Sequence, residues 1–170
     1  MRLHCRRSRA RALTSVKPAP DSAGRSKGER EMARKLVLLG AALVMLGLLT
    51  GFVSGSLANP RMGLAAHLEG LMNGTLMVAL GAAWGHVKLS PKAQAWCWWL
   101  LVYGTVANWL AVLLAAIWGA GGATMPLTAA GMQAAPWQEN LVSALLISLS
   151  FAIVAAFALV IRGVMAARAD

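Results

Sequence analysis

The chain has 170 residues, 58% of them hydrophobic and only 13% charged, with a formal net charge of +10. That composition excludes an ordinary water-soluble domain, and it also excludes a disordered chain, which is poor in apolar residues. Its two cysteines, Cys5 and Cys97, have neither CxxC nor His-paired spacing, which excludes a disulfide-stapled secreted domain and a zinc site. A small integral membrane protein remains.

The charge is unevenly spread. Residues 1–35 hold eleven of the sixteen Lys and Arg against three acids, or +8, which leaves five bases and three acids, or +2, for the rest. The basicity therefore belongs to a tail and does not indicate a nucleic-acid partner. Residues 1–32 read as a basic, disordered extension containing Pro, Ser and Gly. They could serve as an anionic-lipid anchor or a targeting segment, and a dispensable extension is the reading adopted. Met32-Ala33-Arg34-Lys35 ahead of an apolar run has the form of a start, so Met32 is an expected initiation site.

Residues 33–170 are expected to form one all-α domain, a four-transmembrane-helix bundle. The first span, 36–58, is an uncharged apolar run matching the roughly 20 residues that cross about 30 Å of hydrocarbon. A cleaved signal peptide ending near Ser56-Leu57-Ala58 competes with it, but the run exceeds the usual apolar region of about 7 to 15 residues. Gly40, Gly47, Gly51 and Gly55 fall on one helical face and contain two linked GxxxG units, a stripe for packing against another helix. The second span, 63–87, has Gly70 with Gly74 and Gly81 with Gly85 at the same spacing, and it carries His67, Glu69 and Asn73. The third, 93–119, has Trp96, Trp98 and Trp99 at its start and Trp118 at its end, as interfacial belts do, with Tyr103, Thr105, Asn108 and Trp109 between. A long connection follows, and the fourth span, 141–161, has only serines as polar points. Arg34, Lys35, Lys88, Lys92, Arg162 and Arg168 flank one side, against Arg61 alone on the other. Both termini are therefore expected in the cytoplasm, across a bacterial-type inner membrane.

Function has to come from polar groups inside the bilayer, where they are costly and face an interior or a cavity. His67, Glu69, Asn73 and Asn108 are those groups. His67 is a hydrogen-bonded interfacial histidine, an axial haem ligand or a proton carrier. Glu69 and Asn73 are i,i+4 and share a face, whereas His67 lies about 120° away from Asn73 around the helix. One helix thus presents two faces to chemistry, which suits a helix placed between two equivalent sites in a ring of subunits. Asn108 and Thr105 could meet Asn73 across the bundle, or the amides could simply pair as packing glue. A membrane enzyme, a small transporter subunit and a scaffold all stay open on residue chemistry alone.

The segment Asn59 to Gly70, with Met72-Asn73-Gly74, Tyr103-Gly104-Thr105, Ala107-Asn108-Trp109, Trp118 to Gly122 and Trp137-Gln138-Glu139, resembles the hydroxylaminobenzene mutases over about residues 36–161. The basic tail has no counterpart there. A more distant similarity is to styrene-oxide isomerase, another four-helix membrane protein, in which the histidine, five residues and Asn-Gly of His67 and Asn73-Gly74 recur. The nearer resemblance implies an isomerase that turns an aryl hydroxylamine into a 2-aminophenol, the oxygen moving from nitrogen to the ortho carbon. The distant one implies haem b held at trimer interfaces, with His67 as axial ligand to the haem iron. It also implies that Asn73 contacts substrate and that Asn108 matches an asparagine of the third helix. Catalytic duty is accordingly expected of Asn73, Asn108 and Glu69, in a homo-oligomer embedded in lipid. The tyrosine and aspartate of that family's third helix are replaced by Val112 and Gly104, which weighs against epoxide isomerisation.

Overall fold

The computed structural model describes residues 26–167. Five helices occur among them: α1 (Lys27–Val53), α2 (Pro60–Ala83), α3 (Pro91–Trp118), the single-turn α4 (Pro126–Ala129) and α5 (Pro136–Ala166). No strand occurs among the described residues. The long helices pack in a row, α1 on α2, α2 on α3 and α3 on α5.

Local chemistry sets the helix ends. Asn59 caps α2 by accepting the Arg61 and Met62 amides, and Pro60, which has no N–H to leave unpaired, follows it. Ser90 caps α3 ahead of Pro91 in the same way, and Gly119 ends that helix at φ +70°, a left-handed conformation that favours glycine. At α1, Ser26 accepts from the Glu29 amide while Glu29 accepts from the Ser26 amide, a reciprocal capping box. The extension expected to run to residue 32 thus gives way to helix at Lys27, because the cap lies upstream of the apolar run. Residues 1–25 of that expected extension lie outside the described residues.

Among the described residues, three helices are long and apolar enough to cross a membrane, Lys27–Ser56 with its terminal 3-10 turn, Pro91–Trp118 and Pro136–Ala166. Their outward side chains are apolar: Phe52 is 87% exposed and Phe151 74%, as expected of a surface solvated by lipid and not by water. The α2 helix has 24 residues, about 36 Å at 1.5 Å per residue. It is less apolar because it carries His67, Glu69 and Asn73.

The α1–α2 seam runs backbone to backbone. A Cβ on Gly47 would lie 2.9 Å from the Gly70 backbone, and one on Gly40 would lie 2.6 Å from the Gly74 carbonyl oxygen, so small residues at both positions set the helix separation. Gly55, grouped with this stripe in the sequence, lies in the turn after α1 with nothing near its Cβ direction. Gly85 likewise falls in the turn after α2.

The described N-terminal end of α1, the α2–α3 turn and the C-terminal end of α5 share one end of the bundle. There the Lys88 amide donates to the Gly163 carbonyl at 3.0 Å, and Gln94 Nε2 donates to Glu29 Oε1 at 3.4 Å. At the opposite end Asn59 ties three segments together. Its amide N–H donates to Ala116 O at 3.0 Å, and its Nδ2 donates to Thr128 O and Ala129 O at 3.1 and 3.2 Å. Glu139 fastens the connection after α3 by accepting the Gly121 and Ala134 amides at 2.9 and 3.2 Å.

Two apolar clusters fill the interior. One gathers Leu36, Leu43, Met77, Trp84, Cys97, Leu101, Ala156 and Val160. The other gathers Met62, Ala66, Val112, Ala115, Ala116, Ala120, Ala129 and Val142. His67, Glu69 and Asn73 of α2 and Asn108 of α3 fall between them along the helices.

Candidate active site

Between the clusters, α2 carries His67 toward α1. His67 Nδ1 lies 2.8 Å from the Gly47 carbonyl oxygen. A carbonyl can only accept, so Nδ1 bears the proton, and in the neutral imidazole Nε2 is left as a lone pair. Gly51 makes room for the ring, since a Cβ there would sit 2.6 Å from Nδ1. The glycine stripe of α1 thus packs α2 and cradles the histidine together.

Glu69 and Asn73 lie on the other side of α2, toward α3. Asn73 Nδ2 donates to Glu69 Oε2 at 3.0 Å, and Asn108 Nδ2 of α3 donates to the same oxygen at 2.6 Å. All three residues are half-buried. The two asparagines therefore meet through the carboxylate, and Glu69 is the link that the sequence left unassigned between the helices. Thr105 does not join them. Its hydroxyl donates to the Leu101 carbonyl at 2.7 Å and also approaches Met77 Sδ at 3.1 Å.

Two further polar contacts were not evident from residue types. Trp109 Nε1 donates to Thr50 Oγ1 at 3.3 Å, and Thr50 donates in turn to Leu46 O at 2.8 Å. Trp109 also lies against Gly70, where a Cβ would stand 3.1 Å from its Cδ1, so this side chain braces the α1–α2 crossing from α3. Tyr103 Oη and Ser148 Oγ are 2.7 Å apart, joining α3 to α5. Thr50 precedes Gly51 of the glycine stripe, and that adjacency was the only signal for it.

Gly104 and Val112, where the distant resemblance expects acidic and phenolic side chains, are core positions. A Cβ on Gly104 would collide with Ile153 of α5, and Val112 is 3% exposed. No group of three or more His, Cys, Asp or Glu able to hold a metal occurs among the described residues. With Nδ1 engaged by Gly47 O, Nε2 is the ring nitrogen left for a metal carried by its own macrocycle, as haem iron is.

The sequence profile of the styrene oxide isomerase family matches residues 32–165. The chain belongs to that family. Among the relatives of this family member is hydroxylaminobenzene mutase HabB of Ectopseudomonas oleovorans, 48% identical over 138 residues, covering 81% of this chain and 84% of that protein. Hydroxylaminobenzene mutase HabA of the same organism is 42% identical over 134 residues, covering 79% and 99%. No solved structure gives a significant match. The styrene oxide isomerase profile begins at Met32, so the matched region leaves out most of the basic tail.

Proposed function

We propose that this protein is a membrane isomerase that converts hydroxylaminobenzene and related aryl hydroxylamines to 2-aminophenols by moving the hydroxyl oxygen from nitrogen to the ortho carbon. The observation that carries this reading is the 48% identity to a hydroxylaminobenzene mutase over most of both chains, with His67 and the Asn73–Glu69–Asn108 group on separate sides of one helix. The rearrangement needs a weakened N–O bond, a held ring, and exclusion of the water that would otherwise capture a cationic ring. Apolar clusters on both sides of the polar layer favour a dry site. Asn73 and Asn108 are the substrate contacts in this scheme, holding the hydroxylamine group while the oxygen migrates. The core positions of Gly104 and Val112 support this substrate over an epoxide.

His67 is the residue that would hold haem b. Its Nδ1–H bond to Gly47 fixes the ring and tautomer, as outer contacts of metal-bound histidines do. When bound, ferric haem would supply Lewis acidity toward the hydroxylamine oxygen. The isomerase is a homo-oligomer, with a trimer favoured. Glu69 and Asn73 are only half-buried, and α2 also exposes Leu64, Leu68 and Met72. A neighbouring copy covering that face would shield the polar groups from lipid. Here α2 is the fourth membrane span, its lower hydropathy being the consequence of its functional side chains. The end that gathers Lys88, Lys92 and Arg162 faces the cytoplasm of an inner-membrane, multi-pass protein.

Purified protein in detergent should isomerise hydroxylaminobenzene without an electron donor and show a Soret band. His67→Ala should lose both. Full activity without bound haem would remove the cofactor from the scheme and leave His67 and Glu69 as acid and base.

A further inference from the structure

We propose that Glu69 is a positioning residue that orients the amides of Asn73 and Asn108 and thereby selects ligands offering N–H or O–H donors. This deepens the reading of the site as one for aryl hydroxylamines and rests on it. Glu69 Oε2 accepts from Asn73 Nδ2 at 3.0 Å and from Asn108 Nδ2 at 2.6 Å. The two donors come from different helices, α2 and α3.

An asparagine side chain is a planar amide with its donor nitrogen and acceptor oxygen on opposite edges, so fixing one edge aims the other. Both nitrogens are turned to one carboxylate oxygen. Both carbonyl oxygens are consequently turned away from it, and the pair offers two acceptors to whatever occupies the space beyond. A hydroxylamine carries N–H and O–H donors that satisfy them. An epoxide or a nitro group carries only acceptors and would leave the carbonyls unpaired, which a site built for hydrogen bonding rejects more strongly than an apolar site would. Glu69 does this as a hydrogen-bond acceptor, so the role requires an oxygen at that position and no proton transfer.

The test uses the full-length protein and two unreactive ring compounds, aniline as donor and nitrobenzene as acceptor-only ligand, with binding followed by quenching of intrinsic tryptophan fluorescence. Wild-type protein should favour aniline by about tenfold or more, in line with one to two hydrogen bonds gained. Glu69→Ala, or Glu69→Met should the smaller side chain not support folding, should lose that preference and raise KM for hydroxylaminobenzene more than it lowers kcat. Glu69→Gln keeps a carbonyl acceptor and should recover most of the preference and of the turnover lost in Glu69→Ala. An unchanged preference in Glu69→Ala would overturn the proposal. Glu69→Gln as inactive as Glu69→Ala would also overturn it, by pointing to proton transfer. Absence of hydroxylaminobenzene turnover in wild-type protein would instead strike the substrate reading, while the aniline-to-nitrobenzene ratio would still decide the orienting role.

Discussion

Gly51 of α1 faces the His67 ring of α2 so closely that a Cβ on the glycine would stand 2.6 Å from Nδ1. The ring or the α1 backbone would have to shift, and either movement would disturb the hydrogen bond to Gly47 O. Gly51→Ala should therefore reproduce much of the His67→Ala phenotype while leaving the histidine in place. Contacts of this outer kind typically carry 10- to 100-fold of metal affinity or activity. The expected outcome is a weakened or shifted Soret band with turnover reduced at least about tenfold, read from one absorbance spectrum and one initial rate.

Asn73 and Asn108 share one acceptor oxygen, so their effects should not be independent. Each alanine variant should lower the rate by about 10²-fold with the haem spectrum nearly intact, a magnitude typical of losing one preorganised hydrogen bond at the reacting centre. The double variant should fall well short of the product of the two, because removing one amide already disturbs the other through Glu69. Initial rates of the four proteins close the cycle, and strict additivity would mean two separate contacts.

Much of the fold was legible because a bilayer demands long apolar runs, and each expected span overlaps a long helix. The Asn59-Pro60 and Ser90-Pro91 pairs mark helix starts that the hydropathy placed within a few residues. The upstream start of α1 was hidden by charge, since Lys-Gly-Glu-Arg-Glu gives no apolar period although Ser26 and Glu29 form a capping pair. The single turn α4 has no periodicity to detect. At the site, helical geometry alone separated His67 from Asn73. The partnership of Glu69 with Asn108 was invisible, because it depends on the register between α2 and α3, which local sequence does not encode.

Beginning the chain at Met32 would remove Ser26 and Glu29, hence the capping box and the contact of Glu29 with Gln94. Activity should persist, since the site is assembled from residues beyond that point. Stability should fall by about 1 kcal/mol, as for the loss of one helix cap. Thermal unfolding in detergent beside a turnover assay checks both. A stable but inactive shortened protein would assign the upstream segment a role in catalysis.

Membrane topology follows from the shared end of the bundle described for the α2–α3 turn and the α5 terminus. Reporter fusions after Ala167 and at Gly131 should report opposite sides, with the former cytoplasmic. Equal signals would contradict four crossings, because α5 alone separates the two sites and would then not span the bilayer.

In the proposed rearrangement the migrating oxygen never leaves the substrate's reach. Hydroxylaminobenzene turned over in ¹⁸O-labelled water, with the product resolved by mass and ring position, tests it most directly. The expected product is unlabelled 2-aminophenol, formed only with active protein. Label in the product, or 4-aminophenol in its place, would mean that water attacks the ring, and would contradict an intramolecular transfer in a water-excluding site.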